Sequence, residues 1–250
     1  MELTVVGSGT AAVTAERGPS AYVLRAGPET ILLDGGTGTL QRCLRAGISY
    51  QEVDRVFYTH LHPDHTIELV PFLFATRHTP GFTRTSPLYF YGPGGFKDFF
   101  YAYVNLFSSS LIEVDYQIHI QEFAETSVAV GDIAVTTRFM RHSENAIGYR
   151  FENAGKCLVY SGDTDYCEGI LELASDADVL ILDCSFPDSG KVAGHLTPSE
   201  AARIASQAGV AKLVLSHLYP PVDEIAVMKA ASAVFGGEII VARDLMKIHV

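Results

Sequence analysis

The stretch Thr59-His60-Leu61-His62-Pro63-Asp64-His65 constrains this chain more than any other. Three imidazoles and a carboxylate stand within six positions, directly after the compact apolar run Arg55–Tyr58. Residues two apart on extended backbone point the same way, so His60 and His62 can grip one ion together. Asp64 and His65 lie just beyond, where the chain turns toward a helix, and can face a second ion. Imidazole and carboxylate together suit Zn²⁺, Mn²⁺ or Fe²⁺.

Three more candidates each follow a predicted strand. His142 follows Ile133–Met140, Asp163 follows Leu158–Tyr160 in Ser161-Gly162-Asp163-Thr164, and His217 follows Leu213–Ser216. Singly each is an ordinary loop residue. Together they put ligands at the C-terminal ends of successive strands, where sites in sheet proteins gather. His60, His62 and His142 make one tri-histidine site. Asp64, His65 and His217 make a second, and Asp163 can bridge the two with its two oxygens. Two divalent ions held this way keep open positions for water and substrate, as catalysis requires. Zinc is the expected metal, with manganese or iron as alternatives.

The rest of the chain supplies the frame. Leu3–Val6, Ala21–Arg25 and Ile31–Leu33 read as strands bounded by glycine turns, and Gly38–Ala46 as a short helix. Leu69–Thr76 reads as a helix interrupted near its start by Pro71. Strands are expected at Leu88–Tyr91, Ile118–Phe123, Val128–Val130, Ile133–Met140, Ala146–Glu152 and Lys156–Tyr160. Helices Cys167–Ala174, Pro198–Ala208 and Val222–Val234 then alternate with strands Val179–Leu182 and Lys212–Ser216, and two short strands close the chain. Phe96–Phe107 reads as a helix in the aromatic stretch 87–107. That stretch is either core beneath a covering helix, or a surface for dimerisation or for lining a substrate cleft. No composition break divides the chain, so one domain over residues 1–250 is expected.

Composition narrows the function classes. With 48% hydrophobic and 19% charged residues among 250, the chain is globular. Its net charge of −11 argues against broad binding to nucleic acid, which Lys and Arg drive by neutralising phosphates. A small phosphate-bearing substrate stays compatible, because bound metal can reverse the local field. The four cysteines form no CxxC pair and are expected as buried or semi-buried thiols. The start, MELTVVGSGTAA, reads as a strand rather than a signal peptide, and no apolar run approaches the ~20 residues of a membrane span. A cytoplasmic protein without membrane contact is expected.

The ordered set THLHPDH, a lone histidine, SGDT and a final histidine resembles the metallo-β-lactamase superfamily of binuclear metal hydrolases, over nearly the whole chain. Leu32-Leu33-Asp34-Gly35-Gly36 is similar to that family's early strand-turn aspartate. The resemblance implies that Asp34 orients a ligand histidine and supports the turn. The implied fold is α/β: a four-layer αββα sandwich, two mixed β-sheets flanked by helices, with the site at one edge. Asp163 stands where lactamases of the di-zinc type carry cysteine, which argues against penicillin hydrolysis. His62 and the chain length argue against the flavodiiron branch. The inserted domain of the mRNA- and DNA-processing nucleases is absent.

His195, in Gly194-His195-Leu196-Thr197-Pro198-Ser199-Glu200-Ala201, marks the branch. Thr197, Pro198 and Glu200 read as a capped helix start, so His195 can be a helix-entry residue bonded to its own loop. It also resembles a histidine of the ribonuclease Z and phosphodiesterase branch. By that resemblance it is no ligand, but contacts the phosphate or protonates the leaving oxygen. Ribonuclease Z proper carries a long arm between the lone histidine and the bridging aspartate. Here two predicted strands consume that interval. The arm-less pattern resembles phosphodiesterases acting on small or cyclic phosphate diesters.

The resulting expectation is a binuclear metal-dependent hydrolase that cleaves such a diester through a metal-bridging hydroxide. His195 would serve as proton donor, and Asp64 and Asp163 would hold metal geometry and briefly accept a proton. Alternatives on the same fold are hydrolysis of a thioester, lactone or sulfate ester, a ribonuclease Z-like tRNA 3′ endonuclease, or a non-catalytic accessory protein. The expected partner is a small phosphate diester. A large nucleic acid is not expected, and a homodimer is expected from family habit and the aromatic stretch. Tyr219-Pro220-Pro221 is either a pocket wall or a plain turn, and Ser185-Phe186-Pro187-Asp188 is placed over the site.

Overall fold

Period-two burial builds the centre of the molecule. In Glu29–Leu33, Ile31 and Leu33 enter one apolar cluster while Leu32 enters another on the opposite face. Leu158 and Tyr160 likewise face away from Val159, and Val179 and Ile181 away from Leu180 and Leu182. Such strands are buried on both sides, one face against a second sheet and the other against helices.

The computed structural model describes residues 1–221 and 223–250. Its strands are β1 Glu2–Gly7, β2 Ala21–Ala26, β3 Glu29–Leu33, β4 Arg55–Phe57, β5 Leu88–Pro93, β6 Ile118–Phe123 and β7 Thr126–Val130. They continue as β8 Ile133–Phe139, β9 Ile147–Asn153, β10 Lys156–Tyr160, β11 Val179–Asp183, β12 Lys212–Ser216, β13 Glu238–Val241 and β14 Lys247–His249. The helices are α1 Thr39–Arg45, α2 Pro63–Thr66, α3 Leu69–His78, α4 Phe96–Phe107, α5 Glu168–Ala174, α6 Pro198–Ala208 and α7 Glu224–Ser232.

Two mixed seven-stranded sheets result, in the orders β14-β1-β2-β3-β4-β5-β6 and β13-β12-β11-β10-β9-β8-β7. Strands β3 to β6 run parallel in the first, and β10 to β13 in the second. The sheets meet through Leu3, Leu24, Phe57, Tyr149, Phe151 and Val214, with Phe57 edge-on to Tyr149 and Phe151 at 5.3 Å. Helices α1, α3 and α4 cover the first sheet, and α5, α6 and α7 the second. This is the four-layer αββα sandwich. The C-terminal ends of β4, β8, β10 and β12 bring the predicted ligands to one edge.

Several local expectations need correction. Pro71 does not interrupt α3. It sits in the first turn, where a missing N–H costs no helical hydrogen bond, and the helix continues to His78. The short helix α2 precedes it, with Pro63 at its first position. The expected helix start at Val222 lies outside the described residues. The helix is seen from Glu224, capped by Asp223, which accepts from the Ile225 and Ala226 amides. Helix α6 has the capping box foreseen at Thr197 and Glu200. Helix α4 buries Phe96, Phe100 and Val104 on one stripe and leaves Leu106 and Phe107 exposed at 76% and 62%. No helix among the described residues is long and apolar enough to cross a membrane.

Candidate metal centre

Strand β4 delivers Thr59 and His60 to the edge, and Asp34, after the adjacent β3, holds both Thr59 and His65 in place. Asp34 is fully buried, and its carboxylate accepts from the Thr59 amide (2.8 Å), the Thr59 hydroxyl (2.9 Å), the Tyr160 hydroxyl (2.6 Å) and His65 Nδ1 (2.8 Å). The Thr59 hydrogen is thereby committed, so Thr59 Oγ1 accepts from His60 Nδ1 at 3.0 Å. Both rings then turn Nε2 inward as an acceptor.

The other side chains come from the second sheet. His142 donates Nδ1–H to the Gly194 carbonyl at 2.9 Å. Asp163 follows β10 through Gly162, whose φ of +59° and 2.6 Å virtual Cβ approach to Thr59 admit no side chain. His217 follows β12 with φ 57°, a left-handed conformation that aims its ring at the site. It donates Nδ1–H to Ser185 Oγ at 2.8 Å.

Two groups face one carboxylate. Asp163 Oδ1 lies 3.2 Å from His65 Nε2 and 3.3 Å from His217 Nε2, and these two lie 3.8 and 3.6 Å from Asp64 Oδ2. Asp163 Oδ2 lies 3.8 Å from His60 Nε2 and 3.6 Å from His142 Nε2, with His62 Nδ1 3.1 Å from His142 Nε2. The seven predicted ligands are thus all brought together, with Asp163 between the groups.

The donor set fits two small cations. His60 Nε2, His65 Nε2, Asp163 Oδ1 and His217 Nε2 are buried polar atoms without a hydrogen-bond partner. Leaving four such atoms unmet would cost several kcal/mol, of order 1–3 each. A divalent ion in each group would satisfy them. Burial lowers the pKa of His60 and of His142, which favours the neutral ligating form; burial opposes charge on His65 as well, but Asp163 and Asp34 raise its pKa. Burial opposes charge on Asp163, but His217, His65 and His60 hold its carboxyl well below the usual range.

His195 stands beside these groups. Its ring lies 4.9 Å from His142 and 5.5 Å from His217 between centroids. Its Nδ1 donates to Asp183 Oδ2 at 2.8 Å. It joins Asp163, Asp183 and His217 in a third group whose ligand atoms lie within 4.8 Å of one another, while the seven predicted ligands form their two groups without it. Burial opposes its protonation, yet the hydrogen bond to Asp183 raises its pKa. It is more than a helix-entry residue bonded to its loop. Asp183 and the role of the Ser185 hydroxyl were missed in the sequence. Phe186 and Tyr219 stack on each other at 4.8 Å and meet His195 at their edges, so they do wall this flank. Asp188, expected over the site, instead holds the start of α6 through Ser199.

Asp34→Ala is expected to destabilise the fold by about 3–5 kcal/mol, because four donors lose one buried acceptor. Thermal unfolding with and without zinc checks this. A Tm shift under about 3 °C would refute it, since each kcal/mol moves Tm by roughly 2–4 °C at this size.

Residues 29–218 match a family model described as a beta-lactamase superfamily domain. Ribonuclease Z of Methanosarcina acetivorans is 30% identical over an alignment of 307 positions, covering 100% of this chain and 98% of that protein. Ribonuclease Z of Mycobacterium marinum is 29% identical, covering 100% and 99%. Among solved structures, the Bacillus subtilis metallo-beta-lactamase fold protein YhfI superposes with a TM-score of 0.85 at 24% identity, covering 99% of this chain and 98% of that one. Human tRNase Z, short form, superposes with a TM-score of 0.79 at 25% identity, covering 100% and 99%.

Proposed function

The chain belongs to the beta-lactamase superfamily, and from that premise we propose that this metal-dependent hydrolase is a phosphodiesterase acting on a small or cyclic phosphate diester. The observation that carries the reading is the His195–Asp183 pair at 2.8 Å, beside a ligand set that is complete without it. A hydrolase of thioesters has less need of a held proton donor, because a thiolate departs more readily than an alkoxide.

Two divalent ions, zinc by preference, would supply Lewis acidity and an activated water when bound. His60, His62, His142 and Asp163 would hold one, and Asp64, His65, His217 and Asp163 the other. Asp183 holds His195 by Nδ1, which leaves Nε2–H of the imidazolium for the leaving oxygen. Asp64 is partly exposed and would be the base that faces the attacking water; the Ala11 amide at 3.1 Å fixes its Oδ2, and although burial raises its pKa, His217 and His65 hold it below the usual carboxylate range.

The relatives' names weigh against the expectation that a large nucleic acid is no partner, and a tRNA 3′ endonuclease is the second reading. Three observations favour the small diester. The net charge is −11. Lys191, the cation whose partner Asp165 also holds the Gly194 amide beside His195, is engaged by Asp165 and Glu200, and Arg17 is buried against Glu224. Between His142 and Asp163, strands β9 and β10 joined by a tight turn fill the interval where the arm would stand. The 307-position alignment against a 250-residue chain likewise leaves the Methanosarcina protein with segments that have no counterpart here.

The test is turnover of bis-p-nitrophenyl phosphate, 2′,3′-cyclic AMP and a precursor tRNA by zinc-loaded protein. Diester hydrolysis is expected, lost on chelation and restored by zinc or manganese. A higher kcat/KM on precursor tRNA than on any small diester would move the assignment to the second reading. Turnover of thioesters, lactones or sulfate esters alone would reject both.

A further inference from the structure

Ser185 follows β11 and is 3% exposed. Its hydroxyl donates to Asp183 Oδ1 at 2.7 Å, and an ionised carboxylate only accepts, so the hydrogen is committed there. The lone pairs of Ser185 Oγ are left for two imidazoles. His217 Nδ1 lies at 2.8 Å and His195 Nδ1 at 3.0 Å. One oxygen therefore touches both a candidate metal ligand and the candidate proton donor, whose rings lie parallel within 12°. Asp183 does not do this alone. Among the described residues its carboxylate bonds reach His195, Thr164 and Ser185, and none joins it to His217.

We infer that Ser185 is a positioning residue that sets His217 and His195 as a pair. Accepting from His217 Nδ1–H fixes that ring in the tautomer whose Nε2 lone pair faces Asp163 and Asp64. Sharing His195 Nδ1–H with Asp183 Oδ2 fixes the second ring at the angle from which Nε2–H meets the leaving oxygen. The roles of the two histidines rest on the functional reading above. The coupling between them is a property of this hydroxyl. Backbone pairing makes the joint rigid: Asp183 lies opposite Ser216 in the β11–β12 ladder, and the Cys184 amide donates to the Ser216 carbonyl at 2.8 Å.

Ser185→Ala removes one atom, and Ser185→Thr restores the oxygen. Zinc affinity is read by competition with a chromophoric chelator, and kcat and KM with 2′,3′-cyclic AMP at saturating zinc. Ser185→Ala is expected to weaken one of two zinc ions by about 10–100-fold and leave the other unchanged. Its kcat is expected to fall about tenfold or more with KM held, as for a misaligned proton donor, and Ser185→Thr to recover both values. Should Ser185→Thr not fold, the downfield Nδ1–H proton resonance of His217 decides. It is expected in wild type and absent in Ser185→Ala, and its persistence would overturn the inference. Equal weakening at both zinc sites with a lowered Tm, or full kcat at saturating zinc, would also overturn it. Zinc binding needs no substrate. Wild type that binds two zinc ions but hydrolyses no diester therefore rejects the phosphodiesterase reading alone.

Discussion

Asp163→Ala is expected to lose turnover altogether and to bind fewer than two divalent ions per chain. Both carboxylate oxygens are engaged, Oδ1 toward His65 and His217 and Oδ2 toward His60 and His142, at 3.2 to 3.8 Å. None of the other six candidate ligands faces both groups. Asp64 reaches only the second through Oδ2, and His62 only the first. The substitution would therefore take a candidate ligand from each group, and the one carboxylate between them. If metal-dependent acceleration is forfeited, the loss is on the order of 10⁶-fold or more, the lower end of enzymatic rate enhancement. Asp163→Asn keeps the volume and removes the charge, and is expected to behave alike, because amide groups are poor bridging ligands. Metal content by mass spectrometry and diester turnover check both variants. Two tightly bound ions with measurable turnover in Asp163→Ala would mean that the bridge is dispensable.

Much of this centre was legible in the sequence because its parts are concentrated or regularly placed. His60, His62, Asp64 and His65 fall within six residues, and His142, Asp163 and His217 each follow a strand whose apolar run is plain. Such residues need only a sheet with coherent strand ends to converge. Asp34 was reachable only through the resemblance of Leu32-Leu33-Asp34-Gly35-Gly36 to the family's strand-turn aspartate, and its four donors become visible only in three dimensions. Asp183 and the Ser185 bond were not legible. In Val179-Leu180-Ile181-Leu182-Asp183-Cys184-Ser185 an aspartate after four apolar residues reads as an ordinary strand end. Its meaning comes from the parallel placing of β11 between β10 and β12, which sets it between Asp163 and His217. Helix α2 spans four residues, too few for any apolar period to register. Pro71 misled for the opposite reason: a strong local signal was harmless because it fell in a first turn.

His195→Ala is expected to keep both metal ions and to slow turnover of 2′,3′-cyclic AMP by roughly 10²–10⁴-fold, the usual worth of a positioned general acid. Metal retention follows from geometry, since the seven other side chains form both groups without His195. The magnitude depends on the leaving group. An alkoxide from a ribose hydroxyl is a strong base and departs far faster when a proton is delivered to it. A p-nitrophenolate is a weak base and departs without one. The same variant should therefore lose much less on bis-p-nitrophenyl phosphate than on the cyclic nucleotide. Asp183→Asn should follow the same order with smaller losses, because the ring keeps a partner but the imidazolium loses its counter-charge. Equal losses on the two substrates would assign His195 to stabilising charge on phosphorus-bound oxygen rather than to proton transfer. Unchanged turnover on the cyclic nucleotide would remove His195 from the chemistry, and with it the observation on which the phosphodiesterase reading stands.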